Sequence, residues 1–280
     1  MVSKPAKLDV DKPPTVSVLM NCYNGEEFIR DSIDSVLAQT YQDFELVIWD
    51  NLSTDRSWEI VLGYGDPRII RLRAPKHTTL AEARKQAFSH LRGRWVAILD
   101  VDDLWRRGKL EKQMSLVEDN PDLGFIYCKT NVLSASQQTR EDHIFSKWND
   151  RLPEGDIYRR LLRGNFIAIA SLLLNKCSLQ SIGGFSGKYP IMEDYYVTLN
   201  LARDYEVAAV QETLCDYRVH GANASLHGPL DTFEDLQIVR NLFPDPHAVL
   251  AASRIIMRHI KKCVIHRRLP QFRLMSRALV

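Results

Sequence analysis

The sequence contains few cysteines, and they are not arranged as metal ligands or as a disulfide framework. Five cysteines are scattered through 280 residues, and no two of them have the C-x-x-C spacing. An odd, dispersed set of this kind argues against a zinc site and against a disulfide-stabilised architecture. We therefore expect the protein to work in a reducing compartment.

Long apolar runs and a strong excess of one charge are also missing. Lys and Arg total 37 and Asp and Glu total 35, so bulk charge does not make the chain a polyanion-binding protein. No apolar run approaches the length of a membrane span. Residues 1–14 are polar and contain proline, without the apolar centre of a signal peptide. These features predict a cytoplasmic protein with a flexible tail over residues 1–14.

The sequence does contain an alternation of strand-like apolar runs and helical patterns. Strand-like runs occupy residues 15–20, 44–50, 68–73 and 95–100, and patterns with helical spacing separate them. This alternation predicts an α/β fold with a mostly parallel central sheet and helices on both faces.

Two polar residues mark predicted helix starts in this half. Ser53 is a candidate N-cap for the second helix, and Thr79 with Glu82 has the spacing of a capping box. The second half is less regular, with a long loop or short hairpin expected over 131–155. The other elements expected there are strands at 124–130 and 167–175, a helix at 193–205, an extended segment at 206–220, and helices over the remainder.

Carboxylates stand where two of the predicted strands end. Asp50 ends the second strand, and Asp100 ends the fourth and is followed by Asp102 and Asp103. The carboxyl ends of parallel strands meet at one edge of the sheet, where ligands of such folds bind. Oxygen-rich D-x-D suits Mg²⁺ or Mn²⁺ held together with a phosphorylated ligand. The alternative for the triplet is a solvated acidic loop or a helix N-cap.

Two other nucleotide or phosphate chemistries fit poorly. Haloacid-dehalogenase-type phosphatases carry D-x-D near the start of the domain, followed by Gly or Asn, whereas here three strands come first and Asp103-Leu104 follows. A metal-dependent phosphatase therefore remains a weaker alternative. A dinucleotide-binding domain is not expected, because no G-x-G-x-x-G follows the first strand.

Four segments in order are similar to family 2 glycosyltransferases, which have the GT-A fold. The first is VSVLMNCYNGEEFIRDSIDSVLAQTYQDFELVIWDNLSTD, followed by AEARKQAFSHLRGRWVAILDVDDLW, then GGF with MEDYYVTLNLA, and then YRVHGANAS. Together they cover about residues 15–227. Each segment alone is a weak match, but the set in this order is highly specific for the family.

The resemblance implies an inverting, non-processive transferase that moves a sugar from a nucleotide-diphosphate sugar to a hydroxyl group of a glycan or lipid-linked glycan. A UDP-sugar is the favoured donor, because a carboxylate at Asp50 accepts from a ring N–H. The resemblance also implies Mn²⁺ or Mg²⁺ at Asp102, with His220 either a second metal ligand or a hydrogen-bonding or structural residue. The nucleotide-sugar contacts it implies are Cys22, Tyr23, Asn24, Asp50, Arg84, Asp100 and Asp103.

For catalysis, the resemblance assigns Asp194 as the base that takes the acceptor proton and Glu193 as a residue that orients the acceptor or the loop. Several of these residues have a structural alternative. The two acids could simply stabilise a helix N-terminus by their charge. Asp50 could be an N-cap, and Arg84 could lie on a solvated helix face.

The sequence departs from the family pattern at positions that contact nucleotide or acceptor. The Q-x-x-R-W of the processive synthases is missing. The other departures are Asn21 for proline, Asn51 and Leu52 for Asp-Gly, Lys85 for asparagine, and Tyr196 for aspartate. The residues assigned to the chemistry are unaffected.

The C-terminal segment is basic. From Pro246 to Val280 there are eight Lys and Arg and no acidic residue. On a helical wheel its apolar residues Ile256, Ile260 and Val264 oppose its basic ones. Such a helix suits an anionic membrane surface, and the alternative is that its apolar face packs on the domain. The basic residues of that wheel are Arg254, Arg258, Lys261 and Lys262.

The resulting domain prediction is a glycosyltransferase domain over 15–228, with a nucleotide-binding half at 15–105 and an acceptor half at 106–228, followed by a basic helical extension at 229–280. Peripheral membrane contact is expected through the extension, and nucleic-acid binding is not. A non-catalytic membrane scaffold with the same fold is the alternative from another functional class.

Overall fold

The architecture comes from a computed structural model that describes residues 12–134, 151–220 and 233–265. The strands are β1 (Val16–Cys22), β2 (Phe44–Asp50), β3 (Ile69–Arg73), β4 (Trp95–Ile98), β5 (Leu104–Trp105), β6 (Phe125–Ser134), β7 (Leu173–Asn175) and β8 (Val207–Val219). The helices are α1 (Ile29–Leu37), α2 (Ser57–Leu62), α3 (Leu80–Phe88), α4 (Lys109–Asp119), α5 (Tyr158–Leu161), α6 (Lys176–Ser181), α7 (Glu193–Asp204), α8 (Glu234–Arg240) and α9 (Pro246–Ile265).

The eight strands form one sheet in the order β3-β2-β1-β4-β7-β6-β8-β5. The pairs β1–β2, β1–β4 and β2–β3 are parallel, and the register places Cys22 opposite Asp50. Beyond β4 the sheet is mixed, because β7 and β5 run antiparallel to their neighbours while β6 and β8 are parallel. The strands predicted at 44–50 and 68–73 are confirmed within one residue.

Each face of the sheet carries its own apolar core. One core lies under α1, α2 and α4 and includes the β1 side chains Val16, Val18 and Met20. The other lies under α3 and α5 to α9 and includes Leu19 and the β2 residue Val47. Helices on both faces were predicted from the alternation of elements, and the two cores confirm that prediction.

A close backbone contact lies at the turn that leads into β4. A Cβ added at Gly93 would lie 2.4 Å from the backbone nitrogen of Ser17. Gly93 instead donates its N–H to Ser17 Oγ at 2.7 Å, and Ser17 Oγ donates to Glu45 Oε1 at 2.6 Å. The turn into β4 therefore requires glycine.

Of the two N-cap residues predicted from the sequence, one is confirmed and the other is wrong. Thr79 is the N-cap of α3, and its Oγ1 accepts from the N–H of Glu82 at 3.3 Å. Ser53 is not the N-cap of the second helix, because α2 begins four residues later with Arg56 at the cap position. Ser53 Oγ instead accepts from the N–H of Asn24 at 3.0 Å and so joins the loops that follow β1 and β2.

The strand expected over 167–175 is only partly formed. Residues 169–171 form a turn of 3₁₀ helix, and strand pairing is limited to β7. Two side chains from distant parts of the sequence donate hydrogen bonds to the carbonyl oxygens of this turn. Trp105 Nε1 donates to Ala170 O at 2.8 Å, and Gln113 Nε2 donates to Ser171 O at 2.9 Å.

The C-terminal helices pack onto the domain within the described range. Leu236, Val239, Ala248 and Ile255 are buried in the core under α3 and α7. The prediction that the apolar face of the last helix contains Ile256 and Ile260 is met in part, since these residues flank the buried face and are partly exposed. Residues 266–280, for which membrane contact was expected, lie outside the described residues. In the described segments no helix is both long enough and apolar enough to cross a membrane.

Candidate active site

The loops after β1 and β2 are joined by polar contacts that depend on Asn24. Its Oδ1 accepts from the backbone N–H of Thr54 at 2.8 Å, and its own N–H donates to Ser53. Asn24 has a φ of 51°, in the left-handed region that asparagine tolerates better than most residues. Asn24 therefore shapes the loop through its backbone and its carboxamide together.

Asp50 lies at the end of β2 with its carboxylate fully buried. Its Oδ1 accepts from the N–H of Ser53 at 3.2 Å, and its Oδ2 lies 3.0 Å from Arg73 Nε. This ion pair lacks the angle of a hydrogen bond, so Oδ2 keeps an unused acceptor position. Asp50 caps no helix, because α2 begins at Ser57.

An aromatic pair stands beside Asp50 at the same edge of the sheet. The half-exposed ring of Tyr23 lies 4.1 Å from the ring of His77, centroid to centroid. His77 is placed by Asn51, whose backbone oxygen contacts His77 Nδ1 at 3.0 Å and whose side chain bonds Thr78. The asparagine that departs from the family pattern thus fixes the loop between β3 and α3.

Leu52 follows Asn51 and has a φ of 62°. Glycine, which the family pattern has at this position, adopts that conformation without a steric penalty, whereas a residue with a Cβ pays about 1–2 kcal/mol. The departure at Leu52 therefore places backbone strain two residues after Asp50.

The three carboxylates after β4 have different surroundings. Asp100 Oδ1 accepts from Arg84 Nη2 at 2.6 Å, and Arg84 is buried under the sheet edge rather than solvated. Asp102 Oδ2 lies 2.9 Å from His220 Nε2, and each of these two side chains is 20% exposed. Asp103 is buried, and its Oδ1 accepts from the backbone N–H of Arg218 at 3.0 Å.

Burial and mutual repulsion change the pKa values of Asp102 and Asp103. Burial, and after it the charge of Asp100, raises the pKa of Asp102, while the hydrogen bond from His220 partly opposes that rise. Burial and the charges of both neighbours hold the pKa of Asp103 well above its usual range. A nearby positive charge would therefore stabilise the ionised forms of both acids, and of the two only Asp102 is partly exposed.

Arg218 holds the D-x-D loop against the end of β8. Its Nε donates to the backbone oxygen of Asp102 at 3.0 Å, and its guanidinium lies 4.8 Å from the ring of Phe28. Phe28 also contacts the His220 ring at 4.7 Å. Arg218 stands in the Y-R-x-H segment, so the sequence contained a signal for it, although only His220 was assigned a role.

Asp194 lies in the first turn of α7, on the side of the sheet covered by α3. Its Oδ1 accepts from the N–H of Tyr195 at 2.7 Å and its Oδ2 from Asn165 Nδ2 at 2.8 Å. Burial raises the pKa of Asp194 to about 6, against lowering by the Tyr195 N–H, the charge of Arg84 and the Asn165 amide. Asp100 raises it further, so Asp194 lies within electrostatic reach of both members of the Arg84–Asp100 pair.

Glu193 faces away from these groups and is 1% exposed. Its Oε1 accepts from the N–H groups of Ser186 and Gly187, and its Oε2 accepts from Ser186 Oγ at 3.0 Å. Its carboxylate therefore holds the loop before α7, and orienting a loop is one of the two roles expected for Glu193.

Four side chains at this edge have buried polar atoms for which no described residue supplies a hydrogen bond. Besides Asp50 Oδ2, these atoms are Asn21 Nδ2 and Oδ1, Trp49 Nε1 and Arg84 Nε. Leaving such atoms unpaired costs about 1–3 kcal/mol each, so they cluster where a ligand or water would be expected to supply partners. The departure at Asn21 contributes two of them.

The structure brings Tyr23, Asp50, Arg84, Asp100 and Asp102 to one edge of the sheet together with His220 and Asp194. Four predicted site residues are at most 1% exposed: Asp50, Asp103, Glu193 and Cys22, whose Sγ lies 3.8 Å from Ser53 Oγ. Sequence reasoning missed Asn165 and Arg73. Asn165 has no local signal, because its contact with Asp194 depends on two distant segments meeting.

Known proteins are similar to this chain in sequence and in structure. The family model for glycosyl transferase family 2 matches residues 17–182. The UDP-Glc:alpha-D-GlcNAc-diphosphoundecaprenol beta-1,3-glucosyltransferase WfgD of Escherichia coli is 33% identical over 195 residues, which are 70% of this chain and 72% of WfgD.

Solved structures share the fold at low sequence identity. TarS of S. aureus has a TM-score of 0.68 at 17% identity, covering 88% of this chain and 43% of TarS, and TarS 1–349 in complex with UDP-GlcNAc has a TM-score of 0.66 at 14% identity, covering 88% of this chain and 73% of that one. The mannosyltransferase PcManGT of Pyrobaculum calidifontis, in complex with GDP-Man and Mn²⁺, has a TM-score of 0.61 at 17% identity, covering 96% of this chain and 87% of PcManGT.

The family match spans more than half of the chain and includes β2, which ends in Asp50, and β4, which precedes Asp100. The sheet, its helices on both faces and the structural neighbours agree with that match. The chain therefore belongs to glycosyltransferase family 2, has the GT-A fold and is a glycosyltransferase.

Proposed function

We propose that the protein is an inverting glycosyltransferase that moves a sugar from a UDP-sugar to a hydroxyl group of a lipid-linked glycan. The observation that carries this proposal is the orientation of the Asp194 carboxylate by Asn165 and the Tyr195 N–H in the first turn of α7. Burial raises the pKa of this carboxylate to about 6, and the charges of Arg84 and Asp100 act on it, so it can accept a proton near neutral pH.

Donor binding is assigned to the edge between β1, β2 and β4. The unused acceptor position of Asp50 suits a ring N–H of uracil, and Arg73 beside it suits a ring carbonyl. The exposed face of Tyr23 offers a stacking surface. Asp100 and Arg84 are assigned to the ribose and diphosphate. WfgD, whose name includes UDP-Glc, supports a UDP-sugar over other nucleotide sugars.

Asp102 and His220 have a donor set that fits Mn²⁺ or Mg²⁺. A carboxylate oxygen and an imidazole nitrogen meet at 2.9 Å with part of each side chain exposed. No group of three or more potential ligands occurs among the described residues, so the diphosphate and water would complete the shell. A metal ion bound there would neutralise negative charge on the departing diphosphate.

Asp194 is assigned to take the proton of the acceptor hydroxyl as that oxygen attacks the anomeric carbon. Asn165 and the N–H of Tyr195 occupy one acceptor position on each carboxylate oxygen and so fix the orientation of the group. A β-linked product from an α-linked nucleotide sugar requires inversion, and inversion needs a single base of this kind. Glu193 supports it by holding the loop at Ser186.

The acceptor and its location follow from the relatives and from the C-terminal helix. WfgD acts on an acceptor attached to diphosphoundecaprenol, which supports a lipid-linked acceptor here. The side of α9 away from the core exposes Val249, Leu250 and Met257 together with Arg254. This surface, continued by the basic residues after α9, is assigned to peripheral contact with an anionic membrane from the cytoplasmic side.

The domain division is proposed on the same grounds. Residues 15–105 hold the donor contacts and residues 106–228 hold the acceptor contacts, with 229–280 as the extension. Because α8 and the described part of α9 pack in the core under α3, residues 233–260 are assigned to the folded domain.

The test is sugar transfer from a panel of UDP-sugars, UDP-glucose first, to α-D-GlcNAc-diphosphoundecaprenol in the presence of Mn²⁺. We expect transfer by the wild-type protein and a loss of about 10²–10⁴-fold in Asp194→Asn, with calorimetric UDP binding unchanged. Glu193→Gln should lose less and show part of its loss in acceptor KM. A non-catalytic scaffold would bind UDP without releasing sugar from any donor, with or without acceptor, and full transfer by Asp194→Asn would contradict the assignment of the base.

A further inference from the structure

The backbone just before α7 is held by a carboxylate from α8. Glu234 Oε2 accepts from the N–H of Met192 at 2.8 Å and from the N–H of Ile191 at 3.2 Å. Glu234 is 4% exposed, so these charge-assisted hydrogen bonds are shielded from water. Met192 is the residue at the cap position of α7, which has no side-chain cap of its own.

The position of Glu234 on α8 is fixed by contacts of the next residue, Asp235. Asp235 accepts from Arg258 Nη2 at 2.7 Å and lies 3.0 Å from His259 Nε2, both on α9. At the other end of α8, Asn241 Nδ2 donates to Tyr189 Oη at 2.7 Å. The helix pair therefore contacts residues 189–192 through two separate polar groups.

The same segment is held from its other side by Glu193, which accepts from Ser186 and Gly187. Residues 186–192 are thus held at both ends by buried carboxylates, because Glu193 accepts from Ser186 and Gly187 and Glu234 accepts from Ile191 and Met192. Asp194 is the second residue of α7, so its position depends on how this segment enters the helix.

We propose that Glu234 is a positioning residue that fixes Asp194 by accepting hydrogen bonds from the backbone of Ile191 and Met192. This inference rests on the proposed role of Asp194 as base. Without Glu234, two N–H groups at the helix entry lose their acceptor, and the first turn of α7 loosens. Small displacements of a reacting group cost large factors in rate, because the reacting atoms leave the productive geometry.

Three variants and one control test the proposal. Glu234→Ala removes the acceptor, whereas Glu234→Gln keeps an amide oxygen that can accept from the same N–H groups. The double variant Glu234→Ala with Asp194→Asn tests whether the two residues act through one another. Glu118→Ala, at an exposed site near the end of α4, is the matched control.

The measurements are kcat for transfer from the UDP-sugar that the wild-type protein uses, calorimetric binding of UDP with Mn²⁺, and amide hydrogen exchange. We expect kcat of Glu234→Ala to fall about 10–100-fold, with UDP binding unchanged and faster exchange over residues 191–195. Glu234→Gln should recover to within about threefold, and the double variant should be no slower than Asp194→Asn alone.

Wild-type kcat or wild-type exchange in Glu234→Ala would overturn the proposal and leave the role of Asp194 intact. The same holds if UDP binding falls in step with kcat, if Glu234→Gln is no better than Glu234→Ala, or if the losses of the double variant multiply. Full activity of Asp194→Asn would instead overturn the proposed base, and the positioning role would fall with it.

Discussion

Asp194→Asn should stabilise the protein at neutral pH while it abolishes most of the transfer activity. Burial raises the pKa of Asp194 from 3.8 to about 6, so its ionisation in the folded state costs about 3 kcal/mol above pH 7. Asparagine has no charge to bury. It has one carboxamide oxygen in place of two carboxylate oxygens, so it loses one of the contacts to Asn165 and Tyr195, worth about 1 kcal/mol.

The net effect should depend on pH with a defined sign. A carboxyl group whose pKa is raised on folding binds more protons in the folded state, so the wild-type protein loses stability as pH rises from about 4 to about 7. The penalty removed by Asp194→Asn is about 3 kcal/mol at pH 8 and about 0.5 kcal/mol at pH 4. After subtraction of the lost hydrogen bond, the variant should be about 2 kcal/mol more stable at pH 8 and slightly less stable at pH 4.

Urea unfolding at about pH 8, 6 and 4 measures this difference directly. The control is Asp204→Asn at the other end of the same helix, where Arg203 holds the pKa of Asp204 below its usual range. That variant should lose stability at neutral pH, and the loss should shrink as pH falls. If Asp194→Asn is destabilised at pH 8, or if its stability difference does not change with pH, Asp194 does not carry a raised pKa and the reasoning is refuted.

Four further outcomes are expected. The kcat for transfer should fall as pH drops below about 6, because Asp194 becomes protonated, and a flat pH–kcat profile down to pH 5 would contradict this. UDP should raise the melting temperature only with Mn²⁺ or Mg²⁺ present, and Asp102→Ala should remove that increment; equal UDP binding in EDTA would argue against the metal. Leu52→Gly should raise the free energy of unfolding by about 1 kcal/mol in urea titrations, because it relieves a positive φ of 62°. Deletion of residues 266–280 should weaken sedimentation with anionic liposomes at low salt and leave UDP binding intact, whereas unchanged sedimentation would locate the contact elsewhere.

Elements with a continuous local pattern could be predicted from the sequence. β2 was placed at its observed bounds, because a strand buried on both faces is an unbroken apolar run. The segment 167–175 was not, since its carbonyls bond the side chains of Trp105 and Gln113 more than 50 residues away. No local pattern reports such contacts.

In the candidate site, too, residues in a local sequence pattern could be predicted and contacts between distant segments could not. The resemblance placed a metal at Asp102 and left His220 as either a second ligand or a hydrogen-bonding or structural residue, and the structure brings the two side chains within 2.9 Å. Asn165 and Glu234 contact residues 191–194 through single hydrogen-bonding groups, and each lies more than 25 residues from its partner. Glu193 was expected to orient the acceptor or the loop, and its enclosed side chain holds the loop at Ser186, because adjacent residues of a helix point in different directions.

β8 is synthesised late although it lies between β6 and β5 in the sheet. Arg218 on this strand reaches Asp103 across 115 residues of sequence, and His220 reaches Asp102 across 118. A nascent chain can therefore fold β1 to β4 and expose the D-x-D loop well before its two partners leave the ribosome. Contacts of such long sequence separation form slowly. Translation products that stop before β8 consequently lack Arg218 and His220, the two residues that secure the D-x-D loop.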